Sequence, residues 1–349
     1  MSSNTIDRNA TIDIARAIGI ILVAFGHNWM VMHNRGEVFR IVFSFHVPLF
    51  FFLSGLFLKD SQQVDKFIRS RVDVLLKPYL VILIFIGIIK IFKTIVIGPE
   101  ETSLLTYFMG VLYASGATIT IAWRPLWFLP HLFLDSVISF LILTATISLH
   151  RREIWLYFIS SLLLSIGIYA IGIFLPTSID LNRWSGLPFS FDLMPIGTSF
   201  ILFGFVLSKQ VKSMEFNLSW SLVTTIAFTL LHYYFNETMD LNMRLYGNPL
   251  ISSMQAITGI YIILSISSFL QKFSRLRQLL IYISSGSLFI LIFHSLIQEL
   301  TFLGLSRVSH NNYINAIVSL VVAISLPLVL LEITKRQRFL AVLLLPQKA

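Results

Sequence analysis

Apolar stretches of about 20 residues, the length needed to cross the hydrocarbon core of a bilayer, recur along this chain from end to end. That recurrence leaves few folds open. Backbone in lipid must satisfy its own hydrogen bonds, so the stretches are predicted to be helices. Ten candidate spans follow, at 11–31, 40–58, 76–97, 126–148, 154–174, 193–208, 218–235, 250–270, 280–302 and 313–333. The segment 104–118, "LLTYFMGVLYASGAT", is apolar but short and glycine-broken, and is read as interfacial or re-entrant. The expected fold is all-α and polytopic, a single integral-membrane domain over 1–349 with no appended soluble domain, since the longest non-spanning stretches are 98–125 and 175–192.

Composition agrees. Hydrophobic residues make up 56% of the 349 and charged residues only 12%, about half the charged fraction of a soluble domain. With the N-terminus inside, seventeen of the 26 Lys and Arg fall on the cytoplasmic side, among them Arg8, the basic segment 59–77 and Lys348. Eight, including Arg35, Lys90, Arg183 and Arg244, fall outside, and Arg16 lies within the first span. This split predicts both termini to be cytoplasmic. It also accounts for the net charge of +9 through membrane orientation, without nucleic acid as a partner. The polar start "MSSNTIDRNATIDIAR" carries Asp13 and Arg16 where a cleavable signal needs an apolar core, so the first span is expected to be retained.

Several chemistries are excluded. The chain has no cysteine, hence no disulfide, thiolate metal site or cysteine acyl-enzyme. It has no glycine-rich phosphate loop, no G-x-S-x-G and no H-E-x-x-H. No His/carboxylate cluster has metal-ligand spacing, so no metal is expected. The two halves show no inverted similarity, a mark against a repeat-built transporter.

Ionisable residues inside spans are the candidates for function. Arg16 and His27 are eleven residues apart in the first span. That spacing returns to within about 20° of the same helix face, with a rise of roughly 16 Å. Gly19 and Ala24 on this stripe leave room for a helix or a ligand, and Asp13 stands one turn before Arg16, within pairing reach. The bland alternatives are a snorkelling Arg16 and a helix-packing hydrogen bond for His27. His46 begins the second span near its outer end, and a short connection brings it to a depth similar to that of His27. Either it serves the site or it is an interfacial helix start. In the ninth span His294 is followed by Glu299, and in the fourth His131 and Asp135 are one turn apart. Both sets fit a substrate role or plain helix contacts. His33, His150, His232 and His310 are assigned no role. In segment 59–77, Arg69 and Arg71 suit either lipid headgroups or a polyanionic cytosolic ligand held by guanidinium forks.

At these residues the sequence resembles the acyltransferase 3 family of integral-membrane acyltransferases, and within it the sugar O-acetyltransferases. "IDIARAIGIILVAFGH" is similar to the family's first-span signature, an Arg followed by a His, here Arg16 and His27. "FSFHVPLFFFLSGLFL" resembles the second-span signature, "LWFLPHLF" with Trp127 and His131 a fourth-span segment, and "GSLFILIFH" a late segment ending in His294. One departure stands out: many members carry R-x-x-R after span two, whereas here Arg69 and Arg71 are two apart with Lys66 three before Arg69.

The resemblance implies acyl transfer, usually acetyl from cytosolic acetyl-CoA as co-substrate, to a hydroxyl of a cell-surface or lipid-linked glycan, in a bacterial cytoplasmic membrane. It casts His27 as general base or acyl carrier and Arg16 as a group that neutralises pyrophosphate or orients the thioester. It casts His46 as supporting the catalytic set, Arg69 and Arg71 as donor-binding, and His294, Glu299, His131 and Trp127 as lining the acceptor side. The competing reading is a secondary transporter of an anionic sugar or lipid-linked substrate, with His27 and Glu299 as a proton relay.

Overall fold

The computed structural model describes residues 9–98, 103–116, 118–119, 121–174 and 186–347; Arg8, Arg183 and Lys348 lie outside them. Most of the described residues are helical, and there is no extended strand among them. The chain divides into two compact units.

The first unit comprises Met1–Phe57, Phe203–Asp240 and Tyr246–Leu328. Its helices are α1 (Ala10–Gly26), α2 (Trp29–Met32), α3 (Glu37–Phe43) and α4 (His46–Gly55). They are followed, in numbering that runs along the whole chain, by α11 (Ser208–Lys212), α12 (Leu218–Tyr234), α13 (Pro249–Leu270), α14 (Ser274–Ser285), α15 (Ser287–Ser306) and most of α16 (Asn312–Arg336). Helix α1 is the hub, packing on α3, α4, α13, α14 and α15. It starts where the Asn9 side chain accepts the Ile12 N–H at 3.3 Å, a standard cap for an otherwise orphaned donor. Its Ile14, Ala17, Ile20, Val23 and Ala24 form a buried cluster with Leu280, Ile283, Ile290 and Leu328. The space beside Gly19 is taken by Leu49 and Phe50, 3.2 Å from where a Cβ would stand, and that beside Gly26 by Phe43 at 3.1 Å. Small residues here admit neighbouring helices.

The second unit comprises Leu58–Leu202, Leu241–Leu245 and Val329–Ala349. It holds α5 (Val64–Arg71), α6 (Lys77–Val96), α7 (Leu104–Tyr113), α8 (Phe128–Ala145), α9 (Arg152–Phe174), α10 (Met194–Val206) up to Leu202, and α17 (Arg338–Leu344). Helices α6 and α7 are tied by reciprocal bonds, Tyr79 Oη donating to the Val111 carbonyl and Tyr107 Oη to that of Leu83, each 2.7 Å. Short 3-10 turns over Ile121–Trp127 and Pro188–Leu193 lead into α8 and α10.

Eight helices among the described residues are long and apolar enough to cross a membrane: Glu37–Gly55, Val64–Val96, Ala122–Ala145, Arg152–Ile171, Pro188–Val206, Pro249–Leu270, Ser287–Ser306 and Asn312–Arg336. The protein is therefore an all-α polytopic membrane protein. The other two expected spans are α1 and α12, at 17 residues each.

Several boundaries differ from the sequence expectation for local reasons. Span 11–31 stops at Gly26 because Asn28 is extended (φ −74°, ψ 151°) and its side chain caps a new helix, α2. Span 40–58 breaks at Phe45, between α3 and α4. Span 280–302 breaks at Gly286, between α14 and α15. The third span starts twelve residues early, at Val64 instead of 76. Pro78 has no N–H to offer the Val74 carbonyl, and a π-helical turn over Val72–Leu76 absorbs the mismatch.

Candidate functional site

The first unit gathers the candidate histidines at the C-terminal end of α1. His27 is the residue that closes this helix, with its backbone N–H bonded to the Val23 carbonyl at 3.2 Å. Its imidazole lies half-buried, 5.3 Å centroid to centroid from that of His294 on α15, tilted by 48°. Phe43 stands edge-on to His27 at 6.0 Å and to His46 at 4.7 Å. The sequence reading placed His46 beside His27; the direct ring contact is with His294, and Phe43 lies against both His27 and His46.

Three histidines in this unit share one tether. Nδ1 of His46 donates to the Val42 carbonyl at 2.9 Å, that of His232 to Phe228 at 2.9 Å, and that of His294 to Ile290 at 2.8 Å. A carbonyl only accepts, so Nδ1 carries the proton in each ring and Nε2 of the neutral form is left as the acceptor. His294 is fully buried, and its Nε2 has no hydrogen-bond partner among the described residues. His232 Nε2 lies 3.2 Å from Ser44 Oγ at the break between α3 and α4, a tie that its position at a span end did not reveal.

At the other end of the α1 stripe Arg16 reaches Asp13 at 3.5 Å, the expected one-turn pair. Its guanidinium lies 5.3 Å over the Phe57 ring, a cation–π contact. Glu299 is exposed on α15, whereas its neighbour Gln298, one turn from His294, is buried. Gln298 Oε1 accepts from Asn28 Nδ2 at 2.7 Å, and Gln298 Nε2 donates to the Ala24 carbonyl at 2.8 Å. Neither amide was singled out by sequence reasoning. The available signal was their place, Asn28 directly after His27 and Gln298 at i+4 from His294.

The second unit holds the remaining candidates. Trp127, His131, Asp135 and Ser139 recur every four residues along α8 and its entry, one face of a helix. Trp127 stacks on His131 at 5.4 Å, and His131 Nε2 lies 3.2 Å from Asp135 Oδ2, both side chains fully buried. Ser139 Oγ and, on α10, Thr198 Oγ1 are buried without hydrogen-bond partners among the described residues. Arg71 is half-buried, its guanidinium 5.0 Å over the Phe67 ring and its Nε without a hydrogen-bond partner among the described residues, while Arg69 is exposed. An arginine so placed offers donors to an anion. A buried ion pair was missed: Arg244 Nε bonds Asp192 Oδ2 at 2.9 Å and Nη2 bonds Oδ1 at 3.3 Å.

Fold and site together define a multi-pass membrane protein whose first unit is organised on an Arg–His helix with an imidazole pair at its end. The chain belongs to the acyltransferase 3 family: the family model Acyl_transf_3, described as an acyltransferase domain, matches residues 9–332. It is thus a membrane acyltransferase. Nothing among curated proteins or solved structures matches it.

Proposed function

We propose that this protein transfers an acetyl group from cytosolic acetyl-CoA to a hydroxyl of a cell-surface or lipid-linked glycan, in a bacterial cytoplasmic membrane. The observation that supports this most is the contact between His27 and His294, 5.3 Å between ring centroids, eleven residues along α1 from Arg16. A helix rises about 1.5 Å per residue, so Arg16 and His27 are separated along it by roughly 16 Å. That span suits a long donor whose phosphates sit by arginine and whose thioester sits by the imidazoles.

In this reading His27 takes the proton of the acceptor hydroxyl. The freed oxygen bonds to the thioester carbonyl carbon, the carbon–sulfur bond breaks, and the departing thiolate takes the proton from the His27 imidazolium. His294, with Nδ1 committed to Ile290 and Nε2 bare, supports the charge that develops on His27. Arg16 binds donor phosphates, and Arg69 and Arg71, in the second unit, keep the donor-binding role that the family resemblance implies. His46 supports His27 through Phe43, which stands edge-on to both rings, and Trp127 and His131 serve the acceptor.

The test is transfer of label from acetyl-CoA into extracted glycan, using membranes that carry the protein and their own surface and lipid-linked glycans. Loss of incorporation in His27→Ala, by about 10²-fold or more, is expected. Unchanged incorporation in that variant would overturn the assignment.

A further inference from the structure

Three consecutive residues after α1 meet three residues one turn apart on α15. His27 meets His294, with centroids 5.3 Å apart. Asn28 meets Gln298 through a 2.7 Å amide hydrogen bond. Trp29 stacks on Phe302 at 5.5 Å and 18°. The second rung is the most constrained: Asn28 is fully buried and Gln298 is 5% exposed. Asn28 Nδ2 also donates to the Ala316 carbonyl on α16 at 2.9 Å, and its Oδ1 accepts the Met30 N–H at 3.1 Å. Gln298 Nε2 returns to α1 at the Ala24 carbonyl. Buried amides of this kind are costly to leave half-satisfied, so a closed set defines one arrangement of the elements it joins.

We infer that Asn28 and Gln298 are a positioning pair for acyl transfer: their amide bond sets the register of α1 against α15 and so the approach of His27 to His294. This rests on the reading of His27 as the base. Neither amide is assigned contact with substrate. Misplacement of a reacting group by about 1 Å costs on the order of 10²-fold in rate, so the expected signature is a fall in kcat with little change in KM.

The experiment measures kcat and the KM for acetyl-CoA, per folded protein, in Asn28→Ala, Asn28→Ser and Gln298→Ala, and in the exchange Asn28→Gln with Gln298→Asn. Serine keeps an oxygen to cap α2 and removes the Nδ2 donor, to Gln298 and to the Ala316 carbonyl alike, and stands in should alanine fail to fold; Gln298→Ala, which leaves the Ala316 bond in place, isolates the pair. Each single variant is expected to lose roughly 10- to 100-fold in kcat with KM for acetyl-CoA near that of the parent, and the exchange, which restores an amide pair of the same combined length, to regain most of the loss. Full kcat in both Asn28→Ser and Gln298→Ala overturns the inference, as does a loss confined to KM.

A second readout is independent of activity. Because the chain has no cysteine, disulfide formation between His27→Cys and His294→Cys reports their approach alone. Crosslinking that slows several-fold on adding Asn28→Ser supports positioning even if His27→Ala proves active and the base assignment fails. Crosslinking at an unchanged rate overturns it.

Discussion

Gly197 on α10 lies against the carboxyl group of Asp135 on α8: a Cβ at position 197 would overlap Asp135 Oδ2. The glycine is there because a buried carboxyl occupies the space a side chain would need. Gly197→Ala is therefore expected to destabilise the detergent-purified protein by about 1–3 kcal/mol, the usual cost of overpacking. In Asp135→Ala the obstacle is gone, so the double variant should cost less than the sum of the two single changes, as contacting residues do. Additive unfolding shifts would show that the two groups do not touch.

A harder obstacle stands at Gly204, where a Cβ would overlap the backbone carbonyl oxygen of Phe52 on α4. A carboxyl can rotate aside; a helical carbonyl cannot without moving its helix. Gly204→Ala should thus lower the unfolding midpoint more than Gly197→Ala does. The reverse order in a thermal melt would contradict the close approach of α4 at this point.

Arg244 and Asp192 form a two-pronged ion pair with side chains 2% and 9% exposed. Arg244 also gives Nη1 to the Asn242 carbonyl at 2.9 Å and Nη2 to Ser190 Oγ at 3.2 Å. Removing one partner leaves an uncompensated buried charge, so Arg244→Ala is expected to cost about 3–5 kcal/mol. Arg244→Lys should recover little, because an ammonium lacks the guanidinium fork. Arg244→Met with Asp192→Leu should unfold later than Arg244→Ala alone; if the pair and the single variant melt together, the charge left behind is not what costs stability.

Alkaline pH should weaken the fold through Tyr246. Burial pushes its phenol up to about 12, with the hydrogen bond to Ser253 opposing, against about 10 in an unfolded chain. The folded state therefore holds this proton more tightly. The contribution is complete below about pH 10 and is lost as pH rises toward 12. Tyr246→Phe should flatten the stability profile across that window, and an unaltered profile would exclude Tyr246 as its cause.

The short-range parts of the site were legible in the sequence. Asp13 and Arg16, or His131 and Asp135, lie within one helical turn, and helix geometry alone brings them together. The same holds for the first helix and the apolar spans, since lipid allows such stretches little but helix. Even here single residues redrew the ends: Asn28 capped α2, Gly286 parted α14 from α15, and Pro78 forced a π-helical turn.

What the sequence alone determined is a membrane-spanning helical chain with an Arg16–His27 stripe. Only tertiary structure decided that His27 meets His294, that buried Gln298 and not exposed Glu299 faces the end of α1, and that Gly197 makes room for Asp135. These partners lie far apart along the chain. Periodicity shows which face of a helix is special, but the choice of neighbouring helix and its register come from packing side chains and satisfying buried polar groups across the whole bundle.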